Sequence, residues 1–424
     1  MTTFQVQVAQ NQYLAQGADL VHAVMSVSSS GPAGAAPNGR PLVEALLIDC
    51  SGSMEGAKIR AARDAVAKAV DLLREDAWFC VIAGTNEGRL AVPLAQATAE
   101  NKRRAHAAVR TLNSGGGTAM STWLELARRQ FEQAPTGIHH ALLLTDGKNE
   151  GEPDAKLTAV LNACEDRFQC DARGVGTDWT PDQLRAISGK LLGTLDVIPE
   201  PAAMEADFRR VIEAALGKSV ADVSLRLWTP VGSALEFLTQ VYPEKVDLTA
   251  RGRTDPANAQ VREYPTGAWG EEKRDYHMAI KVKAGQVGQK MLAGRASLIV
   301  REHGVETKLS EGMILAVWTD DEAQSAVIHP SVAHYTGQVE LADAIQQGLK
   351  ARQAGNEAEA TALLGRAVQI AAQSNPETMK LLRKVVEIQD ERLGTVKLLK
   401  GVRKEDEFAL DTRSTKTARV VKGS

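Results

Sequence analysis

The stretch Ala45–Gly56 reads ALLIDCSGSMEG. Four apolar residues run into Asp49, and Ser51 and Ser53 follow with Gly52 between them. A short, unbroken apolar run bounded by turn residues predicts a strand buried on both faces. In sheets built of such strands, ligands bind at the carboxyl ends, where the strand order reverses. A carboxylate and two hydroxyls in one tight turn therefore place a row of hard oxygen donors on the binding rim. Gly52 lets the turn close around an ion.

The segments downstream have the same grammar. After LVEALLID come a helical stretch over 57–75, the strand WFCVIAG, and helical stretches over 99–112 and 119–133. HHALLLTDG reads as strand, 153–165 as helix, FQCDARGVG as strand, 180–189 as helix, LLGTLDVI as strand and 202–217 as helix. Strand–helix alternation of this kind predicts an α/β domain over 42–217, a doubly wound and mostly parallel sheet covered on both faces.

The flanks read differently. Residues 4–28 alternate with period two and predict strands, followed by a linker-like stretch, SSSGPAGAAPNGRP, at Ser28–Pro41. Residues 218–320 hold short, alternating, turn-bounded segments such as VSLRLW, ALEFLTQVY and VREYPTGAWG, which predict a β-sandwich. An isolated hairpin is marginal in water, so strands within 1–40 are expected to join that sandwich. Residues 337–400 predict a helical segment of three helices broken at Gly355-Asn356 and Ser374-Asn375-Pro376. The last residues, 401–424, rich in Thr, Arg and Lys, predict a disordered tail.

Two more strand ends carry donors. NSGGGTAMST (Asn113–Thr122) sets Thr118 after three glycines at the opening of a helix, and LLLTDGK (Leu142–Lys148) ends an apolar strand on Asp146. With Asp49, Ser51 and Ser53 they form a hard-oxygen set suited to Mg²⁺, with Mn²⁺ or Ca²⁺ as alternatives.

Asp49-x-Ser51-x-Ser53, Thr118 after glycines, and Asp146 in a Thr-Asp-Gly context together resemble the von Willebrand factor A domain and its metal-ion-dependent adhesion site. The resemblance implies that the serines and the threonine coordinate directly, and that the aspartates bind directly or through water. One coordination position stays open for a Glu or Asp carboxylate of a partner protein. Two carboxylates leave the site near neutral once a dication is bound, so an incoming carboxylate is attracted. The order of parts also resembles a group of actinobacterial A-domain proteins found in kinase and forkhead-associated signalling settings.

Other chemistries find less support. The triple glycine is not followed by the Lys-Ser/Thr of a phosphate loop, Gly174-Val175-Gly176 lacks the third glycine of a dinucleotide fingerprint, and no Gly-x-Ser-x-Gly elbow occurs. His139 and His140 are adjacent on a strand and face opposite sides. No general base stands out for a metal-dependent phosphate-ester hydrolase, so the expectation is a protein that is not an enzyme. Two roles fit: a Mg²⁺-dependent protein-interaction scaffold in signalling, or the substrate-recruiting adaptor of an AAA-type ATPase or chelatase complex. In the tail, Thr412, Thr415 and Thr417 alternate with basic residues and are candidate phosphorylation sites for a kinase and a phosphothreonine-reading domain.

Composition sets outer limits. Net charge is −3 and aromatics make up 4% of the 424 residues, which disfavours a nucleic-acid surface. Cys50, Cys80, Cys164 and Cys170 form no metal-spaced pair and fit a reducing compartment. The polar start MTTFQVQVAQ lacks an apolar leader core, and no run reaches membrane-spanning length. A cytoplasmic location is expected.

Overall fold

The computed structural model describes residues 2–30, 40–302 and 305–419, which divide into two compact units. Most of the linker-like stretch, and the last five residues of the tail, lie outside the described residues.

The chain opens with β1 (Thr3–Gln10), β2 (Tyr13–Ala15) and β3 (Leu20–Ser30). One unit then spans Pro32–Ala221 with a four-residue piece, Gly267–Gly270. Its elements are β4 (Leu42–Asp49), α1 (Ala57–Leu72), β5 (Trp78–Gly84), β6 (Gly88–Gln96), α2 (Ala99–Arg110), α3 (Met120–Phe131) and β7 (Ile138–Thr145). They continue with α4 (Asp154–Cys164), β8 (Gln169–Val175), α5 (Pro181–Lys190), β9 (Leu195–Ile198) and α6 (Met204–Leu216).

The sheet order is β6-β5-β4-β7-β8-β9, and every pairing is parallel except β5–β6. Chain order therefore reverses between β4 and β7, and the crevice beyond their carboxyl ends is the topological switch point. All eight residues of β4 are buried, as a central strand covered on both faces requires. Helix α1 turns Ile59, Ala62, Ala65, Val66, Ala69 and Val70 inward at helical spacing. Burying each of the larger side chains stabilises the unit by about 1.5–3 kcal/mol.

Three sequence-based expectations need correction here. The segment after WFCVIAG is not simply a connection to a helix: β6 forms an antiparallel edge strand. It contains Pro93 and is largely exposed, a combination that only an edge tolerates and that hides a strand from pattern reading. Gly267–Gly270, expected in the sandwich, belongs to the α/β unit, where the Trp269 carbonyl accepts from Ser219 N and Val220 N at 2.7 and 2.9 Å. The α/β unit also runs on to Ala221 rather than ending at 217.

The other unit is built from β1–β3 and everything after Ala221 except that short piece. Its strands are β10 (Val223–Trp228), β11 (Ala234–Tyr242), β12 (Val246–Asp247), β13 (Arg253–Asp255), β14 (Asn258–Pro265), β15 (Lys273–Lys281), β16 (Lys290–Glu302) and β17 (Val305–Thr319). One sheet runs β1-β3-β15-β11-β12, the other β13-β14-β10-β16-β17-β2. The N-terminal strands are thus split, β1 and β3 in one sheet and β2 beside β17 in the other. The sheets pack closely enough that a Cβ on Gly312 would meet the Val8 side chain.

Helices follow: α7 (Glu322–Ser325), α8 (Pro330–Gln353), α9 (Glu357–Ser374) and α10 (Pro376–Leu382). The expected third helix stops at Leu382 and gives way to an antiparallel hairpin, β18 (Val386–Asp390) and β19 (Thr395–Leu398). Val386 and Val396 bury their side chains, and Gly394 turns the chain at φ 67°. The described part of the tail is ordered, contrary to expectation: α11 spans Lys404–Arg413. Its periodicity is weak, so tertiary contacts carry it. Leu410 is fully buried, Glu407 pairs with Arg352 at 2.8 Å, and Asp406 pairs with Lys384 and Arg403.

Candidate metal centre

The site forms where three loops meet at the switch point. The first is the turn after β4. Asp49 is fully buried, and its Oδ1 accepts from Ser51 N at 2.7 Å while its Oδ2 accepts from Thr145 Oγ1 at 2.5 Å. These bonds hold the carboxylate against β7. Burial pushes the Asp49 carboxyl up, against the lowering effect of the Thr145 and Ser51 hydrogen bonds.

Ser51 Oγ and Ser53 Oγ stand 2.9 Å apart, and Ser53 Oγ donates to Asp146 Oδ1 at 2.6 Å. Asp146 is fully buried and forms an ion pair through Oδ2 with Lys58 Nζ at 2.5 Å. Thr118 arrives on the second loop. Two backbone bonds pin that loop to the first: Gly52 N to the Gly116 carbonyl at 3.0 Å and Gly115 N to the Cys50 carbonyl at 2.8 Å.

The third loop follows Asp146. A Cβ on Gly147 would stand 3.4 Å from Ser53 Oγ and 3.5 Å from Thr118 Oγ1, so both hydroxyls flank one small space. The same loop then wraps the start of α3. Gly151 N donates to the Thr118 carbonyl at 2.8 Å, and Asn149 Oδ1 accepts from Met120 N at 2.7 Å. Glu152 Oε1 accepts from Ser121 N at 2.8 Å and from Asn149 Nδ2 at 3.0 Å, and Ser121 Oγ donates to Glu152 Oε2. A carboxylate at this place satisfies orphan N–H groups and the positive end of the helix dipole.

Asp49, Ser51, Ser53, Thr118 and Asp146 are therefore brought to one rim, the first three and Asp146 from strand ends and the turns that follow, and Thr118 from the loop between α2 and α3 rather than from the strand end expected of it. Sequence reading did not find Lys58, Thr145, Asn149 or Glu152. The last two act on a helix start some thirty residues earlier in the chain, and no local pattern announces such a bond.

The donor chemistry fits a small hard dication: two carboxylates, three hydroxyls and no soft ligand. Among the described residues no cluster of three His, Cys, Asp or Glu could hold a metal, so hydroxyls rather than acids dominate this site. An ion there would offset the cost of burying Asp49 and Asp146. The threonines of the tail lie in the other unit and take no part. Thr412 is buried with its hydroxyl on the Phe408 carbonyl at 2.7 Å, and Thr415 and Thr417 are bonded to the strand end at Val241–Lys245.

Comparison with known proteins agrees with this fold. A family model described as the von Willebrand factor type A domain matches residues 45–195, and one described as the von Willebrand factor type A C-terminal domain matches 369–414. The solved structure of a von Willebrand factor type A protein from Catenulispora acidiphila is 43% identical, covers 99% of this chain and 97% of that one, and superposes with a TM-score of 0.94. The chain belongs to the von Willebrand factor type A family.

The vWA relationship extends further at the level of fold. The ArnB paralog VWA2 from Sulfolobus acidocaldarius is 13% identical over 97% of this chain and 98% of that one, with a TM-score of 0.61. An uncharacterized protein from Synechocystis is 29% identical over 218 residues, which is 50% of this chain. The vWA chain spans about half the length of that curated relative, 51%. The C-terminal match runs from within α9 through the β18–β19 hairpin into α11, so the hairpin and the last helix belong to one family module.

Proposed function

We propose that this vWA protein is a non-enzymatic interaction protein whose α/β unit binds a small divalent cation, Mg²⁺ foremost. Asp49, Ser51, Ser53, Thr118 and Asp146 hold the ion, and a Glu or Asp carboxylate of a partner protein completes its shell. The observation that carries this reading is the convergence of three hydroxyls with only two carboxylates at the switch point. When bound, the ion adds its two positive charges to two carboxylates and the Lys58 ammonium, a net positive centre that attracts a further carboxylate. Thr145 and Ser51 N orient Asp49, Lys58 balances Asp146, and Glu152 with Asn149 holds the loop that carries Thr118.

An intracellular, cytoplasmic signalling setting is part of this proposal. All four cysteines are free and buried, which suits a reducing compartment. Among the described residues no helix is long and apolar enough to cross a membrane. A phosphothreonine role for Thr415 or Thr417 requires the tail to leave its present contacts first.

The test is affinity capture with the wild-type chain and with Asp49→Ala, each in Mg²⁺ and in EDTA. A partner lost with the substitution and lost again with EDTA supports the metal-bridged interface. Partners that survive both treatments overturn it. An AAA-type ATPase among the metal-dependent partners would specify the adaptor form of the same role.

A further inference from the structure

The segment Thr415–Arg419 leaves the turn at the end of α11 and runs along the sandwich unit. Lys245 N donates to the Thr415 carbonyl at 2.8 Å, Lys416 and Glu244 form an antiparallel bridge, and Thr417 N donates to the Pro243 carbonyl at 3.0 Å. The Thr417 hydroxyl donates to the Val241 carbonyl. From α8, His334 Nε2 donates to the Ala418 carbonyl at 2.7 Å.

The segment ends on a fork. Arg419 Nε meets Asp275 Oδ2 and Nη2 meets Oδ1, each at 3.1 Å. The Asp275 side chain is 2% exposed, and the Tyr335 hydroxyl also donates to it. The Tyr242 ring lies 5.9 Å from the guanidinium carbon.

This is not how α11, just before it, is held. Leu410, just upstream, is fully buried, whereas Thr415, Lys416, Thr417, Ala418 and Arg419 offer no apolar side chain larger than alanine. Main-chain pairing, the Thr417 hydroxyl, the His334 imidazole on the Ala418 carbonyl and one bidentate ion pair hold the segment. Those are the means by which a sheet edge reads an extended peptide. A buried carboxylate that meets Nε with one oxygen and Nη2 with the other suits the planar fork of arginine, which a lysine does not match.

We propose that Val241–Lys245, His334, Tyr335 and Asp275 form an arginine-reading peptide groove, with Thr415–Arg419 as its tethered occupant. The partner it fits is a protein presenting an extended Thr-x-Arg segment, threonine two residues before arginine. The tether gives the tail an effective concentration in the millimolar range, so a partner segment enters when the tail is displaced. The inference stands apart from the metal centre, which lies in the other unit.

The test uses the full chain carrying Thr417→Pro and Arg419→Gln, which releases the strap at one main-chain bond and at the fork while α11 stays anchored. A fluorescent peptide with the sequence of Arg413–Arg419 is titrated in and followed by anisotropy. Saturable binding is expected, weaker on the wild-type chain, whose own tail competes. The peptide carrying Arg419→Gln should bind about 10–100-fold more weakly, because it leaves Asp275 without its charged partner. Absence of saturable binding to the released chain overturns the proposal. So does equal binding of the two peptides, a comparison that needs no variant of the buried Asp275.

Discussion

Gly151 N donates to the Thr118 carbonyl at 2.8 Å, and a Cβ placed on Gly151 would stand 2.6 Å from that same oxygen. The loop that begins with Asp146 thus closes directly on the residue that supplies the third hydroxyl. Gly151→Ala must push these strands of backbone apart. The expected cost is about 1–3 kcal/mol of stability, with Mg²⁺ affinity reduced about 10–100-fold. Calorimetric titration with Mg²⁺ beside a thermal melt measures both. Wild-type affinity in the variant would remove Thr118 from the metal set.

Glu152 gives a second, chemically separate handle on the same loop. Its carboxylate, with the side chain 2% exposed, caps α3 through Ser121 and Asn149. Glu152→Ala is expected to lose about 1–2 kcal/mol and to weaken metal binding without removing any ligand. Glu152→Gln keeps an acceptor but not the charge, and should fall between wild type and alanine. If both variants bind Mg²⁺ as the wild type does, the cap positions nothing at the site.

Metal removal should be visible as stability. A ligand at one hundred times its Kd adds about 2.7 kcal/mol to the state that binds it. For a unit the size of the vWA domain, that corresponds to a Tm shift of about 5–10 °C. EDTA should lower the transition of wild type by such an amount and leave Asp49→Ala unmoved, as read by scanning calorimetry with and without Mg²⁺. Equal EDTA shifts in both proteins would place the stabilising ion elsewhere.

At the other end of the same sheet, His140 is sandwiched between two acids. Its Nδ1 meets Glu44 Oε2 at 2.8 Å and its Nε2 meets Asp171 Oδ2 at 3.2 Å. Burial by itself would lower the imidazole, but the charge of Glu44 and the hydrogen bonds to both acids outweigh it and push His140 up to about 10. Burial would raise Asp171, yet the hydrogen bond from His140 and the charge of Arg173 hold it well below the usual carboxylate range. A folded value above the unfolded 6.5 means a stabilising contribution that is complete below about pH 6.5 and lost as pH rises through about 10.

The stability of the wild-type chain should therefore fall between about pH 7 and 10 by more than that of His140→Phe. The variant itself should be less stable near neutral pH by about 3–5 kcal/mol, since it strands the buried Glu44 carboxylate, whereas Asp171 keeps its bonds from Thr194. Chemical denaturation across that pH range measures both quantities. Parallel curves for the two proteins would mean that His140 is neutral in the fold.

The convergence of the five oxygen donors was readable because each of them is locally marked. Asp49, Ser51 and Ser53 share one turn, Thr118 follows glycines at a helix start, and Asp146 ends an apolar run. The edge strand β6 was not readable, because Pro93 and an exposed face erase the alternation that identifies strands. The β18–β19 hairpin was masked by helical neighbours, although Val386 and Ile388 carry period two and Gly394 a turn. The tail misled through composition: its polar residues look solvated, yet those up to Arg419 are ordered by partners that include segments far away in the chain.

From sequence alone follow the buried parallel strands of the vWA unit, their carboxyl ends and the oxygen donors placed there. Hydrophobic periodicity and turn chemistry act over a few residues, and those are the distances a pattern spans. Tertiary structure alone decided that Glu152 caps α3, that His140 sits between Glu44 and Asp171, and that Arg419 reaches Asp275. Each of these rests on at least one buried polar group whose matching charge or hydrogen bond comes from a distant segment, and nothing short-range in the chain records where that partner will be.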